Sequence, residues 1–154
     1  MAQTKANGTH VYAFDGTTLT RALCLTTIDL GSDSTTRLET TCLDDTDAKT
    51  YITGLSDPGQ GSLGWAYDAE NASQIQLIEW AQDKKQGLQF YIGGSESADA
   101  PTVTGSNVTL PTTRSWWSFQ ASVSTPSPTF EADALVMYTI ALERSTPLIN
   151  APKT

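Results

Sequence analysis

The chain has 154 residues, with 17 acids against 9 bases and a formal charge of −8. That length fits one domain able to bury roughly 70% of its unfolded surface. The acidic balance excludes a protein that grips nucleic acid, because such binding rests on Lys and Arg displacing counterions from phosphates. No 18 apolar residues run together and no period of 20–50 residues recurs, so a membrane-spanning helix and a repeat array are excluded as well.

Ser and Thr supply 38 of the residues. Interleaved with Val, Ile, Tyr and Trp and punctuated by Gly and Pro, they favour strands and turns over helices. The N-terminal text MAQTKANGTHVYAF has no apolar core of a secretory leader. Export by that route is therefore not expected, and the sequons at Asn7, Asn71 and Asn107 carry no weight.

HVYAF (10–14) reads as a strand closed by the DGTT turn. RALCLTTIDL (21–30) reads as one continuous second strand, and TTRLETTCL (35–43) as a third with Leu38, Thr40 and Cys42 on one face. Cys24 and Cys42, 18 residues apart in strand-like text, are expected as buried free thiols, with a disulfide as the alternative. Residues 29–57 hold seven acids (Asp29, Asp33, Glu39, Asp44, Asp45, Asp47, Asp57) against Arg37 and Lys49, which is −5 of the −8. Within that segment Leu43, Tyr51, Ile52 and Leu55 form an apolar minority too large for a linker. After the Pro58-Gly59 turn, GSLGWAYD (61–68) is a fourth strand.

NASQIQLIEWAQDKKQG is the one helix, with Asn71 as N-cap, Gln74 in capping-box position and Gly87 as its stop. Lys84 and Lys85 are placed in its last turn. Its apolar arc is Ile75, Leu77, Ile78 and Ala81, with Trp80 at the margin. GLQFYIGG (87–94) returns to strand, and 95–111 reads as a mobile polar loop. TTRSWWSFQASVS (112–124) is a long strand with Trp117, Phe119, Ala121 and Val123 on one face. ADALVMYTIALERS (132–145) is apolar on both faces, which predicts a second layer or a partner.

Catalytic constellations are missing from the text. His10 is the single histidine, and with two Cys it makes no zinc set. Phosphate loops, G-x-S-x-G and H-E-x-x-H are absent. The run Asp44-Asp45-Thr46-Asp47 lacks the spacing of an EF-hand, whose Gly position falls on Lys49. No catalytic residue, metal or cofactor is expected. Trp65, Trp116 and Trp117 suit either a sugar-stacking platform, as in a carbohydrate-binding module, or a core.

The loop text E-T-x-x-L-D-D-x-D-A-x-x-Y-I-T-G-L-x-D-x-G, running from Glu39 to Gly59, resembles that of the major tail tube proteins of long-tailed, non-contractile phages of lambda type. The order of strands, loop, strand, helix with Glu79-Trp80 and final hairpin agrees over roughly residues 8–146. Cys42 stands where that resemblance leads one to expect Ser or Tyr, and an immunoglobulin-like extension after residue 146 is not expected.

The resemblance implies a mainly β fold, a β-sandwich or partial barrel with one packed helix, as a single domain over 1–154. Within it, 43–59 would be a flexible inter-ring loop. It further implies a virion protein, assembled in the host cytoplasm, that forms hexameric rings stacking head to tail into a hollow tube for DNA delivery. A ring-forming tail-completion or secretion-tube component is the neighbouring alternative. Implied partners are other copies of the chain, the tail tip complex, the tape-measure protein and the tail terminator, with DNA passing unbound and no membrane contact. Ring-stacking residues would be Leu43, Asp44, Asp45, Asp47, Tyr51, Ile52, Gly54, Leu55, Asp57 and Gly59. Asp29, Asp33 and Glu39 are candidates for the lumen wall, where negative charge repels DNA phosphate.

Overall fold

The computed structural model describes residues 3–154. Thirteen strands and one helix follow in the order β1 (His10–Phe14), β2 (Leu19–Ala22), β3 (Leu25–Asp29), β4 (Ser34–Glu39), β5 (Tyr51–Asp57), β6 (Gln60–Ala66), α1 (Ala72–Gln82), β7 (Leu88–Gly93), β8 (Thr102–Thr104), β9 (Asn107–Thr109), β10 (Trp116–Val123), β11 (Ser127–Thr129), β12 (Met137–Arg144) and β13 (Ile149–Ala151). The fold is mainly β, as the composition indicates.

One antiparallel sheet runs β2-β1-β7-β10-β12-β6-β3, with β11 beside β12 and β13 beside the first half of β10. Its two end strands, β2 and β3, are consecutive in the chain and joined only by Leu23 and Cys24. The sheet must therefore curl until its ends meet, and it forms a partial barrel with an unpaired seam between β2 and β3. Alternate residues fill the interior: Leu63 and Trp65 on β6, Leu88 and Phe90 on β7, Phe119 and Ala121 on β10, Ile140 and Leu142 on β12. Phe90 and Phe119 stack with ring centres 5.5 Å apart.

The helix covers this core with Leu77, Trp80 and Ala81, at the three- and four-residue spacing of one face. Asn71 caps it as expected, accepting from the Ser73 N–H at 3.1 Å. Gln74 does not complete a capping box. Its side chain is buried and ties the end of β6 instead, donating to the Ala66 carbonyl (3.1 Å) and accepting from the Asp68 N–H (2.9 Å). Leu77 and Ala81 are buried as expected, but Trp80, expected at the margin, is buried too and Ile75 is exposed, on a helix that packs against β10 and β2. The helix ends at Gln82 with Lys84 and Lys85 outside it, Lys84 taking φ +54°.

The run 21–30 is two strands, broken where Cys24 turns left-handed at φ +59°. The helix start holds that corner: the Leu23 N–H donates to Ser73 Oγ (3.0 Å) and Asn71 Nδ2 to the Leu23 carbonyl (3.4 Å). Cys24 is consequently exposed, and so is Cys42, which lies beyond the last strand pair in a turn; both thiols are free. Residues 95–111, read as loop, contain the small β8–β9 hairpin. The last long strand begins at Met137, so Leu135 falls outside it, exposed. One face of β12 carries the core residues Ile140 and Leu142, and the other mixes Met137 and Ala141 with exposed Thr139 and Glu143.

Candidate assembly surface

Residues 34–57 form a two-stranded hairpin outside the main sheet. No residue of β4 is buried, and Gly54 alone on β5 is even partly covered. The stretch read as a 43–59 loop is thus the distal turn and returning strand of this hairpin. A free two-stranded ribbon is marginal in water unless something packs on it. Here the chain supplies only local devices.

At the far end the Thr40 N–H donates to the Thr50 carbonyl (2.8 Å), and the Thr50 N–H donates to Thr41 Oγ1 (2.9 Å). Cys42 to Asp45 make a turn, Asp45 N–H to Cys42 carbonyl at 3.1 Å, with the Asp45 carboxylate accepting from the Cys42 N–H at 2.8 Å. Leu43 on that turn is completely exposed at 105%. Midway, Thr35 pairs with Ser56 but Arg37 with Thr53, so Gly54 and Leu55 together oppose Thr36. This is a β-bulge, which bends a ribbon and raises its twist. A Cβ at Gly54 would press on the Thr36 carbonyl at 3.1 Å, and Leu55 beside it is 92% exposed. Tyr51 and Ile52 are exposed too, with the Arg37 guanidinium 4.0 Å above the Tyr51 ring centre. Leu38, which the loop motif does not include, adds a further exposed apolar side chain.

The base is fixed by close approach and by one ion pair. A Cβ on Gly59 would collide with the Ser32 carbonyl, so only glycine lets the two legs converge there. Asp33 accepts from the Leu148 N–H (3.2 Å) and pairs with Arg144 Nη2 at 2.5 Å. Partial burial alone would raise its pKa. The Leu148 N–H, the Arg144 guanidinium and the Gly59 N–H outweigh that and hold it below the ordinary aspartate value. Arg144 itself is buried under the sheet, 5.9 Å from the Phe119 ring centre, with Nε and Nη1 making no hydrogen bond. Of the remaining acids, Asp29 Oδ1 accepts from the Gly31 N–H (2.9 Å), and Glu39 lies 4.0 Å from Lys49 on the exposed hairpin. Asp44, Asp47 and Asp57 are exposed on the same ribbon.

A second node was not legible in the sequence. Arg114, 1% exposed, donates to the carbonyls of Gly94 (2.8 Å), Gly93 (2.9 Å) and Asp99 (3.0 Å) and approaches His10 Nδ1 at 3.4 Å. Burial, then the Arg21 and Arg114 cations, lower the His10 pKa and favour its neutral ring. Its signal would have been an arginine beside two tryptophans, which spacing alone cannot assign to three carbonyls. Trp65 and Trp116 are buried and Trp117 is half-buried against the core, so the three do not make an exposed stacking platform. Phe130 and Leu135, on the turn between β11 and β12, form another exposed apolar pair that sequence reading missed. Among the described residues no cluster of three or more His, Cys, Asp or Glu is placed to hold a metal ion, and no helix is long and apolar enough to cross a membrane.

A partial barrel with one covering helix and a protruding hairpin is a tube-protein fold. It superposes on a chain of the anti-feeding prophage baseplate with a TM-score of 0.69 at 7% identity, covering 100% of this chain and 99% of that one. The sheath/tube terminator of the PVC extracellular contractile injection system gives 0.69 at 12% identity over 97% of each chain. The SPP1 tail tube gives 0.63 at 13% identity, covering 97% of this chain and 80% of that one. By sequence, Structural protein 3 of Pseudomonas phage PAJU2 is 29% identical over 157 residues, spanning 97% of this chain and 94% of its own. Residues 2–154 match the family described as phage tail tube, TTP, lambda-like, and the chain belongs to that family of structural proteins.

Proposed function

We propose that the chain is a non-enzymatic subunit that closes into hexameric rings, which stack head to tail into the hollow tail tube through which phage DNA passes. The observation that carries this reading is the 34–57 hairpin, whose apolar residues Leu38, Leu43, Tyr51, Ile52 and Leu55 stand exposed and pack on none of the core. Burying a leucine-sized side chain contributes about 1.5–3 kcal/mol, so a few such residues between rings suffice to bias stacking. In the free subunit the hairpin that carries 43–59 is held by its own ladder and base alone, so it is marginal there and becomes fixed on stacking. That ordering cost keeps monomers soluble until a ring template supplies the contacts.

The subunits meet one another in-plane and along the axis, and the ends of the tube meet the tail tip complex and the tail terminator. The tape-measure protein is a further partner and sets the tube length. Assembly takes place in the host cytoplasm and the product is part of the virion. Six chains at −8 each bring −48 to a ring. Asp29 and Glu39 are lumen-wall candidates; Asp33 joins them only with the charge that its Arg144 partner leaves uncompensated. A ring that terminates or caps a tube is the second reading, favoured by the likeness to a tube terminator. Negative-stain electron microscopy of the concentrated protein, with size-exclusion chromatography, tests both. Extended tubes of uniform width support the tube subunit, isolated rings the terminator, and a chain that stays monomeric at every concentration even when seeded with tail tip complexes overturns the proposal.

A further inference from the structure

We infer that the tip of the hairpin docks into the β2–β3 seam of a neighbouring copy, a contact that rests on the tube reading and names the receptor for its protruding element. The seam is a groove of about 570 Å³ between the N-terminal segment, β1, β2, β3 and Trp117. That volume lies within the roughly 300–1,000 Å³ typical of sites that enclose a ligand. Its floor is apolar, formed by Leu25, Ile28, Leu30 and Trp117, all half-buried and packed against the core. Among the described residues, Arg21 is the one charged side chain on its walls apart from His10, and no carboxylate lines it. In a chain with 17 acids that is a local reversal of sign.

The hairpin tip has the complementary character. Leu43 projects completely exposed from a turn that also carries Asp44, Asp45 and Asp47. An apolar knob ringed by carboxylates matches an apolar floor beside a guanidinium. The lip of the groove is rigid, because Cys24 sits in a left-handed conformation that the helix start clamps through Leu23. The same turn and the same lip each hold a free, exposed thiol, Cys42 at the tip and Cys24 at the groove. Docking brings Cys42 of one copy to Cys24 of the next, and the native chain thereby carries its own proximity probe.

The experiment is mild oxidation of assembled full-length protein with copper–phenanthroline and dioxygen, read on a non-reducing gel. Two thiols lose two protons and two electrons to the oxidant and form one disulfide, which requires Cα atoms within about 7 Å. Wild-type assemblies are expected to give a ladder of covalent multimers that collapses on reduction. C24S alone and C42S alone give none, and an equimolar co-assembly of C24S with C42S gives dimers and nothing larger. Charge reversal R21E is expected to abolish tubes without lowering the melting temperature of the monomer, and D44K/D47K, which leaves the Asp45 turn intact, to restore them. Tubes on the grid with neither a ladder nor any effect of R21E overturn the docking and leave the tube reading standing. A disulfide-linked dimer formed by C24S alone or C42S alone overturns it as well, since it reports like-with-like contacts. No assemblies on the grid, even after seeding with tail tip complexes, overturn both.

Discussion

At the scale of single residues, two buried arginines do opposite work. Arg114 has no carboxylate partner yet is satisfied by three carbonyls, so it pins the ends of β1 and β7 to the loop leading into β8. Replacing it by Met strands those acceptors at about 1–3 kcal/mol each, and urea melts of R114M should lose roughly 3 kcal/mol or more. Arg144 is the converse: it relies on Asp33 and leaves two of its nitrogens without hydrogen bonds. Removing the carboxylate leaves a buried charge uncompensated, which is far worse than never having had the pair. D33N should therefore melt well below wild type at pH 7. Because the folded-state pKa of Asp33 is lowered, its contribution is present above the unfolded value of roughly 4 and fades as pH falls through the folded one. The gap between the two melting curves should close in strongly acidic buffer; a gap that persists unchanged there removes the ion pair as its cause.

At the scale of elements, the contrast between sheet and hairpin sets the expectations. Ile140 is fully buried on β12, and I140A should cost about 2–5 kcal/mol through lost transfer energy and a residual cavity. Leu55, 92% exposed, has no such contacts to lose, and L55A should leave monomer stability within roughly 0.5 kcal/mol while weakening tube growth. A substantial loss of monomer stability in L55A would make the hairpin part of the core. Thr40 and Thr50 face each other in a hydrogen-bonded pair, so residues 41–49 can be replaced by Asn-Gly, the turn such a pair accepts. That variant should fold with an unchanged melting temperature and fail to form tubes, and tubes of normal length would end the assignment.

Secondary structure was legible to different depths for physical reasons. The strands at 87–94 and 112–124 were readable because one face is buried and the residues alternate, and those at 10–14 and 61–68 because short apolar runs are bounded by turn residues. The break at Cys24 was not, since its cause is a pair of hydrogen bonds from a helix start some 48 residues later. The hairpin's acidic and apolar text marked it as unusual, but whether that text was loop or strand depended on the Gly54 bulge and the Gly59 close approach.

At the scale of the molecule, charge is the property that assembly would multiply. The 29–57 segment carries most of the −8, and its acids sit on or beside the protruding ribbon. If Asp29 and Glu39 face the lumen, reversing both to Lys should preserve tubes and slow DNA ejection, as cations attract the phosphates that must slide past. Unchanged ejection kinetics would place them elsewhere.

Composition, alternation and one capped amphipathic segment determined the β class, the single helix and most strand positions, because those signals are local and each residue's neighbours in sequence set them. The 39–59 motif, taken with the order of the elements around it, likewise pointed to the family. Tertiary structure alone decided that the sheet curls until β2 and β3 leave a seam, that both cysteines stand exposed, that Asp33 meets Arg144 across 111 positions of chain, and that the acidic segment is a ribbon standing off the core. These are contacts between residues far apart in sequence, and no local pattern encodes which distant partner wins.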